Sequence, residues 1–308
     1  MLRDDPQVQR GYVVKRPDCL SVVPHRPLAI YATCNWTSDR GLKDRLTYTY
    51  PLNGHRLVEP GEKYDVALVF NKSKSAFLDY RRAYIIRCEP TLPKMEGVAT
   101  HPHALVPFEL GLPRHVLSDA ASFPKWEEIS GIWSAGRYWL PEMRIREEFA
   151  YHLSAEVPQY HHFGRGDWSK LSTFKCALDC PYPWGQDDKD RWGNGWKWPA
   201  VLPYKYHVAI ENSLVEGYFT EKLLDGIVAG CLVFYHGHES VVRWIDPDAF
   251  VRIDVSKPKE AAQVIRVALE EDWYQERKSI VHAAAQRLLV EMNPFNWPLD
   301  ALIQGKVS

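Results

Sequence analysis

The pattern of apolar and polar positions alternates between short apolar runs and longer helical repeats, which predicts an α/β protein. In the first third of the chain, β-type runs are separated by polar connections that include predicted helices. These runs are Leu28–Thr33, Leu46–Tyr50, Tyr64–Phe70 and Ala83–Arg87. Strands that alternate with helices are typical of a parallel sheet covered by helices. We therefore expect a Rossmann-like first domain over residues 1–130.

The same alternation continues through the rest of the chain and predicts a second Rossmann-like domain over residues 131–292. Apolar runs predict strands, and apolar positions at helical spacing predict helices. The predicted order is strand Gly131–Ser134, helix Glu142–Leu153, strand Gln159–Phe163, strand Phe250–Asp254 and helices Pro258–Leu269 and Asp272–Glu291. We expect the last segment, residues 293–308, to cross back to the first domain.

The most informative stretch is Tyr204–Tyr235, which predicts a strand, a polar loop, a helix and a second strand. The first strand stops abruptly at Glu211. Thr220 is a suitable N-cap, and Gly230 is a suitable helix end. In such a unit, a ligand binds beyond the carboxyl end of the first strand and faces the helix N-terminus.

Lys222 lies in the first turn of that predicted helix, where the helix dipole mildly disfavours a cation. An anion such as a pyrophosphate, held between the ammonium group and the free backbone N–H groups, would explain this position. A lysine that simply faces solvent explains it equally well from this residue alone.

The residues around Lys222 resemble a known family signature. Asn212, Tyr218, Thr220, Glu221 and Lys222 form the pattern ENS-x4-Y-x-TEK. This pattern is similar to the donor-binding signature of the α1,3/α1,4-fucosyltransferases, glycosyltransferase family 10. The resemblance implies an inverting, metal-independent glycosyltransferase of the GT-B fold, with two Rossmann-like domains facing across a cleft. It also implies GDP-fucose as the donor substrate and an oligosaccharide as the acceptor, with an α1,3 or α1,4 linkage.

Two further segments resemble the family in order and spacing. Residues 161–166, which include Arg165, are similar to a family strand end, and residues 132–149 are similar to a segment with an arginine that contacts the donor pyrophosphate. Arg146 is the best match for that arginine, and Arg144 is a nearby rival. The chain departs from the family at Ala135, where asparagine is usual. Either arginine could instead be a helix-surface charge paired with a nearby glutamate.

The resemblance implies a role for each donor-site residue. Lys222 and Arg146 would hold the pyrophosphate. Glu221 and Asn212 would contact the ribose or fucose, and Tyr218 would pack at the nucleotide. Three further candidates for donor binding are Arg144, Arg165 and Glu211.

The catalytic base is expected in the first domain. Glu89 follows a predicted buried strand and precedes a proline, which is similar to the context of the base proposed for the family. Asp65 and Glu109 are alternatives, and Glu89 could instead cap the following turn. We expect no metal ion and no cofactor, since positioned cations and a helix N-terminus can stabilise a departing pyrophosphate.

Composition narrows the setting in which the protein works. The chain has 308 residues, is 45% hydrophobic and carries a net charge of −1. This charge gives no indication of a nucleic acid partner. With no long apolar run and no signal-peptide pattern, we expect a soluble cytoplasmic enzyme of bacterial or viral type. A Golgi-lumen enzyme is the expectation if the chain is part of a longer protein. The oligomeric state cannot be read from the sequence.

Six cysteines show no disulfide framework, and Cys34, Cys88 and Cys231 are expected to be buried thiols. A loop over residues 184–198 is rich in tryptophan. Its indoles could stack on an acceptor sugar or could simply pin the loop to the domain. Two other functions therefore stay open. One is a GT-B enzyme that uses another GDP-sugar, and the other is a non-catalytic carbohydrate-binding protein.

Overall fold

The computed structural model describes residues 27–34, 38–70, 73, 75–79, 82–86, 99–100, 110–134, 141–176, 197–293 and 295–303. These residues form two compact units, each built on one parallel β-sheet. The first unit contains the described residues up to 100 and those from 291 onward. The second contains the described residues from 110 to 290.

The first unit contains a five-stranded sheet within the described ranges, in the order β2-β1-β3-β4-β5. Its strands are β1 (Ala29–Cys34), β2 (Arg56–Leu57), β3 (Val66–Phe70), β4 (Ala83–Ile86) and β5 (Ala99–Thr100), and α1 covers Asp39–Thr49. All neighbouring strands are parallel. Every residue of β3 and of β4 is buried, as expected for a parallel sheet covered on both faces.

The strand predicted at Leu46–Tyr50 is wrong, because these residues end helix α1. Leu42 and Leu46 are both buried and stand four residues apart, so they share one helix face. Ser38 caps the helix by accepting a hydrogen bond from the Gly41 N–H at 3.0 Å. The helical spacing of the leucines, together with this cap, outweighs the strand propensity of the threonines and tyrosines that follow.

The C-terminal helix groups with the first unit. This helix covers Asn296–Ile303 and is called α7 below. The Asn296 side chain donates to the Pro51 carbonyl at 3.1 Å, just after α1 ends. The boundary between the two domains was predicted at residue 130, which lies inside the strand Glu127–Ile132. The second unit already includes residue 110.

The second unit contains a six-stranded parallel sheet among the described residues, in the order β11-β10-β9-β6-β7-β8. Its strands are β6 (Glu127–Ile132), β7 (Tyr160–Phe163), β8 (Phe174–Cys176), β9 (Tyr204–Ile210), β10 (Leu232–His236) and β11 (Phe250–Arg252). Its α-helices are α2 (Arg114–Leu117), α3 (Pro141–Glu156), α4 (Glu221–Val228), α5 (Pro258–Glu270) and α6 (Trp273–Val290). Short 3₁₀ turns cover Ala120–Ser122, Trp198–Ala200, Glu239–Arg243 and Pro247–Ala249.

The chain of the second unit starts in the middle of its sheet. It runs from β6 outward to β7 and β8, then returns to place β9 on the other side of β6. From there it continues outward to β10 and β11. This is the doubly wound arrangement, and its strand order reverses between β6 and β9.

Helix α4 is held tightly against this sheet. Leu223, Leu224, Ile227 and Val228 are all buried, as their helical spacing predicted. Gly230 follows the helix with a φ of +80°, and a Cβ at this position would lie 2.4 Å from the Ala121 carbonyl oxygen. Only glycine satisfies both constraints, so this residue fixes where α4 ends.

Cys34 and Cys231 are buried free thiols, as predicted, while Cys88 lies outside the described residues. Within the described ranges, no helix is both long enough and apolar enough to span a bilayer.

Candidate active site

The candidate site lies where the strand order of the second sheet reverses. Parallel α/β sheets bind ligands at the carboxyl ends of the strands on either side of this point. Here those strands are β6, followed by Trp133, and β9, followed by Glu211 and Asn212. The N-terminus of α4 comes next in the chain after the loop at residues 211–220.

Arg146 projects from α3 to the end of β9. It is 5% exposed, and its Nη2 donates to the Glu211 carbonyl at 2.8 Å and also to Asn212 Oδ1. The Trp133 indole N–H donates to the Arg146 carbonyl at 3.1 Å, which fixes this turn of α3 to the end of β6. The structure therefore brings Arg146 and Asn212 together.

Arg144 lies on another face of α3. Two residues along a helix turn the side chain by about 200°, so Arg144 and Arg146 cannot point the same way. The Arg144 side chain is 76% exposed and pairs with Glu148 at 3.5 Å. Arg144 is thus a helix-surface charge paired with a nearby glutamate, which was the alternative interpretation of the two arginines.

Glu211 is fully buried and holds the start of α4. Its two carboxylate oxygens accept hydrogen bonds from the Thr220 N–H and the Thr220 hydroxyl, each at 2.8 Å. Burial raises the pKa of Glu211, and the nearby Lys222 ammonium opposes that rise. Because both oxygens are turned to Thr220, we assign Glu211 the role of closing the loop at residues 211–220.

Lys222 lies at the N-terminus of α4 with its ammonium group surrounded by oxygens. Its Nζ is 3.0 Å from Thr220 Oγ1, 3.2 Å from Glu221 Oε1 and 3.6 Å from Glu211 Oε2. Its side chain is 20% exposed. The cation is thus held in place at the positive end of a helix.

Glu221 has a lowered pKa in this arrangement although it is buried. Burial alone would raise its pKa, but the ammonium groups of Lys222 and Lys197 outweigh burial and lower the pKa well below its usual range. Lys197 Nζ lies 3.3 Å from Glu221 Oε1 and 3.5 Å from Asp225 Oδ2.

Sequence reasoning missed Lys197 and Asp225. Asp225 stands four residues after Glu221 and therefore shares its face of α4, which the sequence does show. Asp225 is nonetheless 1% exposed, and a carboxylate so deeply buried requires a cation. Lys197 lies in an irregular stretch without periodicity, so no sequence pattern connects it with α4.

Tyr218 lies at the other end of the loop and is 4% exposed. Gly217, beside it, has a φ of +74°, and its N–H donates to Ser240 Oγ at 2.9 Å. Arg243 adds an exposed ion pair to Glu216 at 2.6 Å. The 3₁₀ turn Glu239–Arg243 therefore secures the loop that carries Tyr218.

Arg165 follows β7, which is next to β6 in the sheet. Gly164 has a φ of +146°, and a Cβ there would lie 1.9 Å from the Trp133 carbonyl oxygen. This close approach places the chain after β7 directly on the end of β6. The Trp168 indole N–H donates to the Arg165 carbonyl at 3.1 Å, so the backbone of this turn is fixed.

Several predicted residues lie outside the described residues. These are Glu89, the alternative base Glu109 and residues 184–196 of the tryptophan-rich loop. Asp65 is described, and its Oδ2 accepts from the Ala29 N–H at 2.8 Å at the amino-terminal edge of the first sheet. In the part of the chain that the structure describes, no three His, Cys, Asp or Glu side chains are grouped to hold a metal ion.

Curated protein sequences and solved structures both include proteins that are similar to this chain. No protein-family model matches the chain. GDP-fucose protein O-fucosyltransferase 3 of Gallus gallus is 30% identical over 118 residues, which are 36% of this chain and 24% of the relative. Its counterpart in Bos taurus is 31% identical over 110 residues, 34% of this chain and 23% of the relative. The match thus spans about a quarter of the length of these curated relatives.

Among solved structures, an α1,3-fucosyltransferase with GDP superposes with a TM-score of 0.53. It is 16% identical and covers 92% of both chains. The chain has the α/β GT-B fold of a glycosyltransferase. The fold of this α1,3-fucosyltransferase agrees with the resemblance that residues 212–222 indicated, and the curated relatives are also named fucosyltransferases.

Proposed function

We propose that the protein is a fucosyltransferase that moves L-fucose from GDP-fucose to a hydroxyl group of an acceptor. The observation that carries this proposal is the gathering of Arg146, Asn212, Glu221 and Lys222 where the second sheet reverses its strand order. This site occurs in a chain with the fold of an α1,3-fucosyltransferase. The fucosyltransferase relatives support the same donor substrate.

The donor pyrophosphate is expected to bind between Lys222 and Arg146. A helix N-terminus supplies unpaired N–H groups and a positive dipole end, which favour a phosphate group. Lys222 adds a full positive charge at the same place. These groups would stabilise the charge that develops on GDP as the bond to fucose breaks, with no metal ion or cofactor required.

Glu221 is proposed to face the ribose or the fucose. As the bond to GDP breaks, positive charge develops on the sugar ring, and a nearby carboxylate stabilises it only while ionised. The ammonium groups of Lys222 and Lys197 keep Glu221 in this form. Asn212 is proposed to contact the sugar end of the donor, and Tyr218 is proposed to pack at the nucleotide.

We propose Glu89 as the base that removes the acceptor hydroxyl proton. The reaction would then be inverting, since one direct displacement at the sugar carbon reverses its configuration. An α1,3 linkage, or an α1,4 linkage, is the product proposed from the family resemblance. Glu89→Gln should keep GDP affinity within about 2-fold and lower the transfer rate by about 100-fold or more. Near-normal transfer by this variant would contradict the assignment.

The acceptor has two candidates. The family resemblance favours a glycan hydroxyl. The curated relatives are named protein O-fucosyltransferases, which favours a hydroxyl on a protein side chain. Incubation with GDP-fucose and either free oligosaccharides or folded protein domains, with mass spectrometry of the products, would separate the two.

The donor is tested in the same assay by replacing GDP-fucose with GDP-mannose or UDP-glucose in buffer with EDTA. We expect transfer or slow hydrolysis of GDP-fucose only. Preferred use of another GDP-sugar would assign the protein to a different transferase reaction. Binding of glycans without any binding of nucleotides would instead indicate a carbohydrate-binding protein.

A further inference from the structure

Three carboxyl side chains, one after β9 and two on α4, are buried beside the proposed donor site. Glu211, Glu221 and Asp225 are all buried. Of the cations at the site, Arg146 is directed to the Glu211 carbonyl and to Asn212. Without Lys197, the carboxylates of Glu221 and Asp225 would outnumber the one ammonium group described beside them, that of Lys222. Since a nucleotide diphosphate is itself an anion, such an excess of negative charge would oppose its binding.

Lys197 supplies the second ammonium group. Its Nζ lies between the two carboxylates of α4, 3.3 Å from Glu221 Oε1 and 3.5 Å from Asp225 Oδ2. Its side chain is only 15% exposed, so water screens these interactions weakly. Glu221 Oε1 is thus shared by Lys197 and Lys222.

The position of Lys197 is fixed by its backbone. The Lys197 carbonyl accepts from the Ala200 N–H at 3.0 Å and so starts the 3₁₀ turn Trp198–Ala200. The Trp198 N–H donates to the Leu110 carbonyl at 3.2 Å, and Ala200 is completely buried. A long lysine side chain on such an anchored turn can hold a definite position.

Lys197 and Lys222 line one small cavity of about 10 Å³ together with Asp225 and His207. The two ammonium groups at this cavity repel each other, and a carboxylate close to both offsets that repulsion. Glu221 is such a carboxylate. Burial, followed by the charge of Lys197, lowers the pKa of His207 to about 3, so His207 adds no further positive charge. Among the described residues that line this cavity, the charged side chains are thus Lys197, Lys222 and Asp225.

We propose that Lys197 is a positioning residue of the donor site: it neutralises Asp225 and orients Glu221, so that Lys222 can direct its charge to the donor diphosphate. This inference rests on the proposed function. It predicts that donor binding requires a positive charge at position 197 to offset the negative charge of Asp225. A variant that loses both charges should therefore bind the donor nearly as well as wild type.

Calorimetric titration with GDP tests this with four proteins: wild type, Lys197→Met, Lys197→Arg and the double variant Lys197→Met with Asp225→Asn. Methionine keeps most of the length and volume of lysine and removes the charge together with its N–H donors. We expect Lys197→Met to weaken GDP binding by about 10- to 100-fold and Lys197→Arg by about 3-fold or less. The double variant should recover to within about 5-fold of wild type, because its buried charges balance again.

The outcomes separate the two proposals. Wild-type protein that binds no GDP would overturn the proposed function. Wild-type binding with unchanged affinity in Lys197→Met would overturn only the role of Lys197. A folded double variant that binds as weakly as Lys197→Met would overturn the charge-balance argument. If Lys197→Met does not fold, Lys197→Gln takes its place as the variant that lacks the positive charge.

Lys205→Met is the matched control. Lys205 is also a partly buried lysine with a carboxylate partner, Glu128, at 2.8 Å. It lies near the start of β9, at the edge of the sheet opposite to the site. We expect GDP affinity within about 2-fold of wild type for this variant, since its charge is far from the proposed diphosphate.

Discussion

The two sheets share one architecture and differ in chemistry at the edge where their strands end. In the first unit the strand order reverses between β1 and β3, and in the second it reverses between β6 and β9. Among the described residues, the first edge carries hydroxyl groups around the Asp39 carboxylate, which accepts from Thr33 Oγ1 at 2.6 Å and from the Tyr31 hydroxyl at 2.5 Å. The second edge carries Arg146, Lys222 and Lys197.

The difference begins with the helix that follows each edge. Asp39 is in the first turn of α1, where its negative charge satisfies the helix dipole from within the chain. Helix α4 also begins with a carboxylate, Glu221, but the ammonium groups of Lys197 and Lys222 lie 3.3 Å and 3.2 Å from it. The same fold position is thus electrostatically satisfied in one unit and suited to an external anion in the other.

Loss of the Lys222 charge should make the start of α4 unsuited to an external anion, as the start of α1 is. Among the variants considered, it should have the largest effect on GDP binding. Lys222→Ala is expected to weaken GDP binding by about 100-fold or more, because the Lys222 ammonium group lies 3.0 Å from the hydroxyl of Thr220, the N-cap of α4. Calorimetric titration measures the loss. Affinity within about 3-fold of wild type would show that the diphosphate does not bind at this helix end.

The two arginines of α3 sharpen the comparison with a matched pair. Arg146→Lys keeps the charge but loses the planar group that reaches both the Glu211 carbonyl and Asn212, so GDP binding should weaken by about 10-fold. Arg144→Ala should leave it within about 2-fold, since Arg144 is exposed. Titration of both variants decides this, and equal losses would mean that the face of α3 is assigned wrongly.

Glu221 gives the comparison a pH dependence. Its pKa is lowered in the folded protein, so the stability that it contributes is present above its usual pKa of 4.5 and is lost as the pH falls through the folded-state value. The melting temperature of wild type should therefore exceed that of Glu221→Gln more at about pH 7 than at about pH 3.5. A difference in melting temperature between wild type and Glu221→Gln that grows at low pH would contradict the ion pairs with Lys197 and Lys222.

Asp39 should give the smallest change in donor binding. Asp39→Asn loses charge-assisted hydrogen bonds worth about 1–3 kcal/mol of the free energy of unfolding, so the melting temperature should fall. GDP affinity should stay within about 2-fold, because the diphosphate is assigned to the second unit. Thermal unfolding and GDP titration of one preparation measure both. A large loss of GDP affinity in folded protein would place donor contacts at the first edge.

Much of the second unit could be predicted because its local patterns agree with its packing. In β9, α4 and β10 the apolar spacing, the Thr220 cap and Gly230 all indicate the same structure, and each is present. The first unit was harder to predict. Residues 46–50 have strand propensity, but Leu42, Leu46 and the Ser38 cap make them the end of a helix.

The site could be predicted only where its residues are close in sequence. Asn212, Glu221 and Lys222 are joined by one loop, so a local pattern contains them. The choice between Arg146 and Arg144 depends on which face of α3 meets the sheet, which a single sequence does not show. Lys197 meets Glu221 and Asp225 only through tertiary packing, and its segment has no periodic pattern that could have indicated this.

The central claim is that the edge beside α4 binds the diphosphate of a guanine nucleotide sugar. Calorimetric titration of wild type and Lys222→Ala with GDP-fucose, GDP and UDP in EDTA tests it most directly. The account predicts that wild type binds GDP-fucose and GDP, binds UDP weakly or not at all, and loses GDP binding in the variant. Nucleotide binding that is equally strong in Lys222→Ala, or no nucleotide binding by wild type, would contradict it.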